Sequence, residues 1–405
     1  MKSELTMVIP SYWAREAGWK EGDAIYDHPT PLDSKGTLLR ALQSIENLED
    51  KDFRLVIIAV ATADDIETRV EKKIASIIES SNPGVEILLF GHSHLKQIHE
   101  LLIREGKKEY IDLLQLRGYA NIRNLCIFIP HIMDSEAVVL IDDDEVFEDP
   151  EFISKAKEFI GRTVGGRAIN AVAGYYLQAD GDYHIKRPFR PWMKYWDQYD
   201  RMNEAFDMII GRGPRLKETP FVFGGNMVIH RNLFTVVPFD PGVPRGEDID
   251  FLINARMFGF PFFLDNQLAI KHLPPPKAHP IWMQLRADIY RFIYERAKIE
   301  HQREIEGMRR VYPEDFDPYP GCFLKSDLED KIERACKLLS EEYLAEGDRR
   351  GSEEALRNIL IAKTDAVPKY DPFQRLCELQ MRWRELMRFT SREKIRSLMM
   401  DIIKE

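Results

Sequence analysis

The chain has 405 residues, 44% of them hydrophobic and 31% charged, which is typical of a soluble globular protein with two or three domains. Its net charge of −10 argues against a general nucleic-acid-binding protein, because such proteins usually carry a basic face. The longest apolar run, LVIIAVA at 55–61, is far shorter than the ~20 residues of a membrane-spanning helix, and no signal peptide is recognisable. The cytoplasm is therefore the expected location. The cysteines form no CxxC pair, so we expect reduced thiols at Cys126, Cys322, Cys336 and Cys377.

The first 145 residues alternate between strand-like and helix-like segments. Strands are predicted at LTMVIPSY, FRLVIIAVAT, GVEILLFG and AVVLIDDD, with the first of them ending at Pro10. Helices are predicted at TLLRALQSIENL, DIETRVEKKIASIIES and ANIRNLCIFIPHI. This alternation predicts a parallel sheet with right-handed crossovers, in which ligands bind beyond the carboxyl ends of the strands.

The rest of the chain changes character near residue 280. Before it, strands are predicted at AINAVAGYYLQ, FVFGGNMVIH and PFFLDNQLAIKHL, and a helix at GEDIDFLINARMFGF. After it, long charged segments have helical periodicity, as in QLRADIYRFIYERAKIEHQREIEGMRRVY and LEDKIERACKLLSEEYLAEG. The sequence therefore predicts an α/β domain over 1–280 and a helical region over 281–405, with a boundary near HLPPPKAHP.

Three consecutive aspartates, Asp142, Asp143 and Asp144, follow the fourth predicted strand. Carboxylates this close repel one another and titrate abnormally, so a positive group or open solvent is expected beside them. An Asp-x-Asp pair at the end of a buried strand suits a hard divalent cation, because Mg²⁺ and Mn²⁺ favour carboxylate oxygens and often share them with substrate phosphates. The alternative is a solvated acidic turn before a helix.

Three further elements fit the same chemistry. Arg123 lies in a predicted helix ahead of the aspartates, from which it could reach a diphosphate, although an exposed position on an amphipathic helix is an even alternative. Glu247 and Asp248 begin a predicted helix, where carboxylates either act as a general base or simply interact favourably with the helix N-terminus. His272 follows a predicted strand and is either a metal ligand or a structural histidine.

Taken in chain order, these elements resemble a known family. The segments TMVIPSY, LLRALQSI, ANIRNLCI, VVLIDDDEVFEDPEFI, FVFGGNMVIHRNLF, RGEDIDFLINARMFGF and KHLPP are similar to a family 2-type glycosyltransferase with a GT-A fold, over about residues 5–275. The resemblance implies a Rossmann-like, mostly parallel sheet in the catalytic domain, followed here by the C-terminal α-helical region.

The resemblance also implies roles for individual residues. Asp142, Asp144 and His272 match the positions that hold a divalent cation, Mn²⁺ or Mg²⁺, in this family. Asp248 matches the acidic residue that deprotonates the acceptor hydroxyl in inverting members, and Glu247 is the second choice for this catalytic role.

Donor binding is implied for the loop after the first strand, the acidic motif and a pair of glycines. In the family an acidic residue directly follows the second strand. Here that turn reads AVATADD, so the two aspartates further on are candidates for contacting the base. Segment 13–37 is longer than the usual first loop and could form an extra acceptor or donor wall or a surface excursion. Its aromatic residues Trp13, Trp19 and Tyr26 could stack on a sugar or pack the loop against the body. The implied donor-binding residues are Pro10, Ser11, Asp64, Asp65, Arg123, Asp142, Asp143, Gly224 and Gly225.

The expected function is thus a metal-dependent glycosyltransferase of the hexosyltransferase class. It would move a sugar, with inversion, from a UDP- or GDP-sugar to a hydroxyl of a saccharide, small-molecule or lipid-linked acceptor. Arg123 or Lys271 could add a positive contact to the leaving group. The alternatives are a nucleotidyltransferase making a sugar nucleotide, or a non-catalytic binding or scaffold protein. The C-terminal helices could pack plainly, cover the site, bind the acceptor or form a homo-oligomer.

Overall fold

The computed structural model describes residues 4–276 and 279–405. Its strands are β1 (Leu5–Ala14), β2 (Thr30–Pro31), β3 (Arg54–Ala61), β4 (Ile87–Phe90), β5 (Ala137–Leu140), β6 (Glu145–Val146), β7 (Thr163–Val164), β8 (Arg167–Ala168), β9 (Ala171–Leu177), β10 (Leu216–Glu218), β11 (Met227–His230) and β12 (Phe263–His272). Its helices are α1 (Leu38–Ser44), α2 (Glu67–Ser80), α3 (His92–Arg104), α4 (Tyr119–Ile132), α5 (Phe152–Phe159), α6 (Gln198–Ile209), α7 (Arg231–Phe234), α8 (Glu247–Met257), α9 (Ile281–Glu300), α10 (Leu328–Ala345), α11 (Arg349–Lys363), α12 (Pro372–Thr390) and α13 (Glu393–Lys404). Short 3₁₀ turns cover Ile45–Asn47, Asp64–Ile66, Lys108–Leu113, Pro191–Lys194, Pro313–Phe316 and Gly321–Phe323.

The main sheet has the strand order β10-β12-β9-β11-β5-β1-β3-β4 in the described part of the chain. Strands β5, β1, β3 and β4 are parallel, whereas β11 runs antiparallel to both of its neighbours. The chain builds β3 and β4 on one side of β1 and then returns to place β5 on the other side. In open α/β sheets such a reversal leaves a crevice at the carboxyl ends of the strands, here β1 and β5. The predicted α/β class, with a mostly parallel central sheet and C-terminal helices, is confirmed.

Strand β1 is longer than predicted. It does not end at Pro10 but continues to Ala14, with Pro10 opposite Ile58 of β3. The expected loop position of Pro10 and Ser11 is therefore wrong. On its other side β1 pairs with β5 only from Leu5 to Val8, and a proline is tolerated where one side of a strand carries no ladder hydrogen bonds.

Three other elements differ from the prediction. The strand predicted at FVFGGNMVIH begins only at Met227, because the two glycines form a turn against the acidic segment after β5. Helix α9 ends at Glu300, and the polar stretch 301–312 that was predicted to continue it is irregular. Helix α3, which buries Leu95 and Ile98 on one face, was not predicted.

The C-terminal helices share a core with the sheet. One continuous apolar cluster runs from Val8 and Phe128 under the sheet to Phe292, Trp383 and Ile403 in the C-terminal region. The Trp383 indole is fully buried and donates a hydrogen bond to the Phe234 carbonyl oxygen, 2.8 Å away. Removing such a side chain typically costs ~3–5 kcal/mol, so these helices contribute to the stability of the whole chain.

The predicted division at residue 280 therefore does not coincide with a break in the core. Part of the predicted boundary segment, residues 277–278, lies outside the described residues. Among the helices that are described, none combines the length and the apolar character needed to cross a bilayer.

A buried histidine joins the sheet-packed helix α4 to the C-terminal helix α12. His131 is 2% exposed, and its Nε2 lies 3.0 Å from the Met387 carbonyl oxygen and 3.1 Å from the Thr390 hydroxyl. Burial lowers the pKa of His131 to about 4, assisted by the positive charges of Arg396 and Arg231, while Asp134 acts in the opposite direction. The imidazole of His131 is therefore neutral in the folded chain near pH 7.

We expect the folded chain to lose stability as the pH falls from 6.5 towards 4, because the unfolded chain then binds a proton at His131 that the folded chain excludes. His131→Gln should therefore lose less unfolding free energy than the original chain over this window, measured by denaturant unfolding at several pH values. The exposed His301→Gln serves as the control and should follow the original chain. An identical pH dependence in all three proteins would contradict the assignment.

Candidate functional site

A cavity of about 950 Å³ opens at the carboxyl ends of β1 and β5. This is the reversal point of the strand order, where a ligand site is expected in such a sheet. Most of the residues that the sequence singles out meet here. The lining includes Arg123, Asp142, Asp143, Asp144, Gly224, Glu247, Asp248 and His272.

The remaining predicted donor residues lie outside the lining. Ser11 is fully buried behind the cavity, and its hydroxyl donates to Asp143 Oδ2 at 2.5 Å. Asp64 and Asp65 lie in a surface turn, where they pair with Arg117 and Arg15.

Two further residues also lie behind or beside the cavity. A Cβ at Gly225 would lie 2.0 Å from Glu145 Oε1, so this glycine allows the acidic turn to pack closely. Lys271 forms an ion pair with Glu148 at 2.8 Å and does not line the cavity. Its suggested contact with the leaving group is therefore not supported.

The acidic turn and His272 are brought together by a two-residue ladder. Strand β5 ends at Leu140, and Glu145 in β6 then pairs antiparallel with His272 at the end of β12. His272 Nε2 lies 3.5 Å from Asp144 Oδ2, and the Tyr176 ring stacks on the imidazole at a centroid distance of 4.5 Å. Backbone pairing thus places a histidine distant in sequence next to the aspartates.

Negative charge is crowded in this turn. Burial raises the pKa of Asp143 to about 8, and the adjacent Asp144 and Asp142 add to the effect. Burial also raises the pKa values of Asp142 and Glu145, and the Oε1 atom of Glu145 has no hydrogen-bond partner among the described residues. For Asp144, burial acts in the same direction but is outweighed by His272, so its pKa is held below its ordinary value. The turn can therefore accept additional positive charge.

Arg123 is the cation already at the site. It is 3% exposed, which excludes the surface position considered from the sequence. Its Nη2 donates to Asp142 Oδ1 at 2.7 Å, and its Nε donates to Glu247 Oε1 at 3.3 Å. Breaking a buried pair of this kind from one side typically costs ~3–5 kcal/mol. One side chain from α4 therefore holds the acidic turn and the start of α8 in place.

Helix α8 presents its two acidic residues differently. Gly246 precedes the helix with φ of 72°, and Glu247 is then buried against Arg123. Burial and the neighbouring Asp248 raise the pKa of Glu247 to about 7, although Arg123 opposes them. Asp248 lines the cavity, is partly exposed and makes no ion pair within the described residues.

Gly224 keeps the space beside Asp248 open. A Cβ at this position would lie 2.9 Å from Arg123 Nη2 and 3.6 Å from Asp248 Oδ2. Any larger side chain would fill the gap between the guanidinium and the carboxylate.

Three tyrosines form one wall of the cavity, with Tyr12 and Tyr26 centroids 4.6 Å apart and Tyr119 4.9 Å from Tyr26. Of the aromatic residues noted in segment 13–37, Tyr26 therefore reaches the cavity, whereas Trp13 is fully buried and Trp19 is 51% exposed. The length of the loop and its aromatic residues were the sequence signals for this wall, and the parts of Tyr12 and Tyr119 were not predicted.

A second wall comes from the segment before α6, which was not predicted, and from the C-terminal region, for which covering the site was one of the alternatives. Helix α9 contributes Gln284, Leu285, Asp288 and Arg291 to the lining, and residues 185–202 contribute Trp192 and Trp196 among others. The helical region is therefore part of the cavity.

The donor set of the acidic turn fits a hard dication in its chemistry. Carboxylate oxygens and one imidazole are ligands that Mn²⁺ accepts, and a cation would take the place of the protons that the raised pKa values keep on the turn. Within residues 4–276 and 279–405, however, no three His, Cys, Asp or Glu side chains are already arranged around a common metal position. Asp142 is engaged by Arg123, and Asp144 lies beside His272.

Comparison with solved structures gives distant likenesses, and two glycosyltransferases are among them. No protein-family model matches the chain, and no curated protein matches it either. The mannosyltransferase PcManGT from Pyrobaculum calidifontis, in complex with GDP-Man and Mn²⁺, superimposes with a TM-score of 0.49 at 14% identity, over 97% of this chain and 89% of that one. GalNAc-T7 with UDP, GalNAc and Mn²⁺ gives a TM-score of 0.38 at 12% identity, over 84% of this chain and 57% of that one. Likenesses this distant carry no argument about activity.

The buried Glu247 generates a prediction about stability. Its raised pKa means that the folded chain keeps a proton that the unfolded chain loses above pH 4.5, so stability falls as the pH rises from 4.5 through 7. Glu247→Gln, which cannot ionise, should lose less unfolding free energy than the original chain between pH 5 and pH 8, measured by denaturant unfolding. The exposed Glu353→Gln is the matched control. Equal losses in both variants would refute the assignment.

Proposed function

We propose that this chain is a metal-dependent glycosyltransferase with a GT-A fold, which transfers a sugar with inversion from a UDP- or GDP-sugar to an acceptor hydroxyl. The observation that carries the proposal is the convergence in one cavity of the acidic turn 142–145, His272 and the start of α8. These elements come from three separate parts of the chain, and Arg123 ties two of them together.

Asp142, Asp144 and His272 are the residues that would hold the divalent cation, Mn²⁺ or Mg²⁺. When bound, the ion supplies positive charge that neutralises the diphosphate leaving group. The chain adds a fixed charge of its own, because the Arg123 guanidinium is buried beside Asp142 and lines the same cavity. Positive charge fixed in advance where a leaving group becomes anionic is an effective form of transition-state stabilisation.

Asp248 is the proposed base. Glu247 is buried and bonded to Arg123, whereas Asp248 is partly exposed to the cavity and has no cationic partner within hydrogen-bond distance among the described residues. The acceptor oxygen attacks the anomeric carbon, and its proton passes to the Asp248 carboxylate. The bond from that carbon to the diphosphate oxygen breaks, and its electron pair leaves with the diphosphate.

The site argues against a nucleotidyltransferase of the usual kind, which presents a glycine-rich loop with a basic residue just after the first strand. Here β1 is followed by Arg15, whose guanidinium is paired with Asp23 and Asp65. Incubating the chain and Mn²⁺ with UDP- and GDP-sugars, and separately with UTP or GTP and a hexose 1-phosphate, distinguishes the alternatives. Release of nucleoside diphosphate from the sugar nucleotides supports the proposal, formation of pyrophosphate in the second incubation supports a nucleotidyltransferase, and neither product supports a binding protein.

Asp144→Ala tests the metal site. We expect metal-dependent binding of UDP or GDP to fall ~10–100-fold, because loss of a group that holds or supports a metal typically changes metal affinity by that factor and the diphosphate would bind through the ion. Isothermal titration with and without Mn²⁺ measures the effect. Asp149→Ala, which removes an aspartate outside the cavity lining, is the control. Unchanged Mn²⁺-dependent affinity in Asp144→Ala would exclude Asp144 from the metal site.

Asp248→Asn tests the base. We expect nucleotide affinity to stay within about twofold while the rate of transfer falls by ~10²–10⁴, the usual contribution of a general base. Steady-state kinetics with the best donor found above measures kcat, and titration measures binding. Transfer at the original rate by Asp248→Asn would show that another group accepts the proton, with Glu247 the next to be tested.

A further inference from the structure

Helix α9 buries a row of charged side chains. Asp288, Arg291, Glu295 and Lys298 follow one another at helical spacing and are 8%, 4%, 0% and 0% exposed. Helices normally bury an apolar face, since uncompensated buried charges are costly. The buried charged side chains of α9 therefore need ion-pair or hydrogen-bond partners nearby.

The partners of Asp288 and Lys298 lie in α8 and in the segment that leads into it. Lys298 Nζ lies 3.0 Å from Asp240 Oδ2 and 2.6 Å from Asp250 Oδ1. Asp288 Oδ1 lies 3.6 Å from Arg245 Nη1. The C-terminal region thus holds segment 240–250 by ion pairs on both sides of Glu247 and Asp248.

Arg291 lies between these two anchors. Its Nε donates to Glu295 Oε1 at 3.0 Å, and its Nη1 donates to the Tyr319 hydroxyl at 3.3 Å. Its Nη2 is buried and has no hydrogen-bond partner among the described residues. The side chain lines the same cavity as Asp248.

The guanidinium of Arg291 also lies directly against the residue that begins the turn into α8. A Cβ at Gly246 would be 2.4 Å from Arg291 Nη1 and 2.6 Å from its Cζ. Gly246 has φ of 72°, a conformation that favours glycine, so both its backbone and its contact exclude a side chain. Asp248 is among the carboxylates whose charge acts on Arg291.

We propose that Arg291 is a positioning residue, contributed by the C-terminal helical region, which supports the Gly246–Asp248 turn and fixes the Asp248 carboxylate for proton transfer. This inference rests on the proposed function. It makes α9 a component of the active site. The guanidinium of Arg291 contacts Glu295, Tyr319 and Gly246 together, which a shorter or uncharged side chain cannot do.

The test compares Arg291→Met and Arg291→Lys with Arg286→Met. Arg286 belongs to the same helix and is also paired with a carboxylate, that of Glu354 at 2.6 Å, but it does not line the cavity. For each protein we would measure kcat, the KM for donor and acceptor, nucleotide affinity by titration, and the melting temperature.

We expect Arg291→Met to lower kcat about 100-fold, the order of loss caused by a misplacement of ~1 Å at a reacting group, with nucleotide affinity and donor KM within twofold. Arg291→Lys should recover part of kcat, and Arg286→Met should keep it. Arg291→Gln, which keeps a hydrogen-bonding group but lacks the guanidinium, should reproduce the loss of kcat, and it replaces Arg291→Met if that variant does not fold.

Three results would overturn the inference. One is a kcat within twofold of the original in Arg291→Met, or in Arg291→Gln where Arg291→Met does not fold. A second is a parallel loss of nucleotide affinity, kcat and melting temperature shared with Arg286→Met, because that pattern indicates general destabilisation. If the unaltered chain transfers no sugar from any UDP- or GDP-sugar, the proposed function fails and the inference fails with it. This failure of the proposed function is distinguishable from failure of the inference alone, because it is seen with the unaltered chain before any variant is made.

Discussion

The site depends on one buried guanidinium. Arg123 bonds to Asp142 of the acidic turn, whose side chain is 28% exposed, and to Glu247 of α8, whose side chain is buried. Without a cation beside it, Glu247 would have to be neutralised or exposed to water, since isolated buried charges are too costly to keep. The glycine at position 224 leaves room for this arrangement. The geometry of the acidic turn and that of the proposed base are consequently set by the same side chain.

Helix α8 is held from its other side by the same kind of interaction. Arg291 and Lys298 of α9 meet the segment around Gly246 and Asp250 with buried charge, so the start of α8 lies between cations from α4 and from α9. Buried ion pairs add little net stability compared with apolar packing, but they tolerate few alternative arrangements. Such pairs suit a place where the orientation of a carboxylate matters more than the free energy of unfolding.

Much of this could be predicted from the sequence, because the signals are local. Apolar runs alternating with amphipathic helices gave the parallel half of the sheet, and the aspartates, Glu247 and Asp248 all lie at ends of elements where the pattern changes. The partners of Arg123 could not be predicted, because they depend on how α4 packs against α8. His272 lies beside the aspartates because β6 pairs with the end of β12. A strand of only two residues, such as β6, leaves no recognisable pattern in the sequence. The sequence predicted α9 as a charged helix, but helical periodicity alone does not show which of its charged side chains are buried.

The arrangement also explains how Asp142 could serve both Arg123 and a cation. Only its Oδ1 bonds to the guanidinium, and its Oδ2 carries no hydrogen bond within the described residues. A carboxylate has lone pairs on both oxygens, so one oxygen can remain with Arg123 while the other is free for a ligand. Asp144 differs, because His272 keeps it ionised despite burial. The two ends of the Asp-x-Asp motif are therefore unequal: Asp142 is fixed by the guanidinium of Arg123, and Asp144 is the more buried carboxylate and lies beside His272.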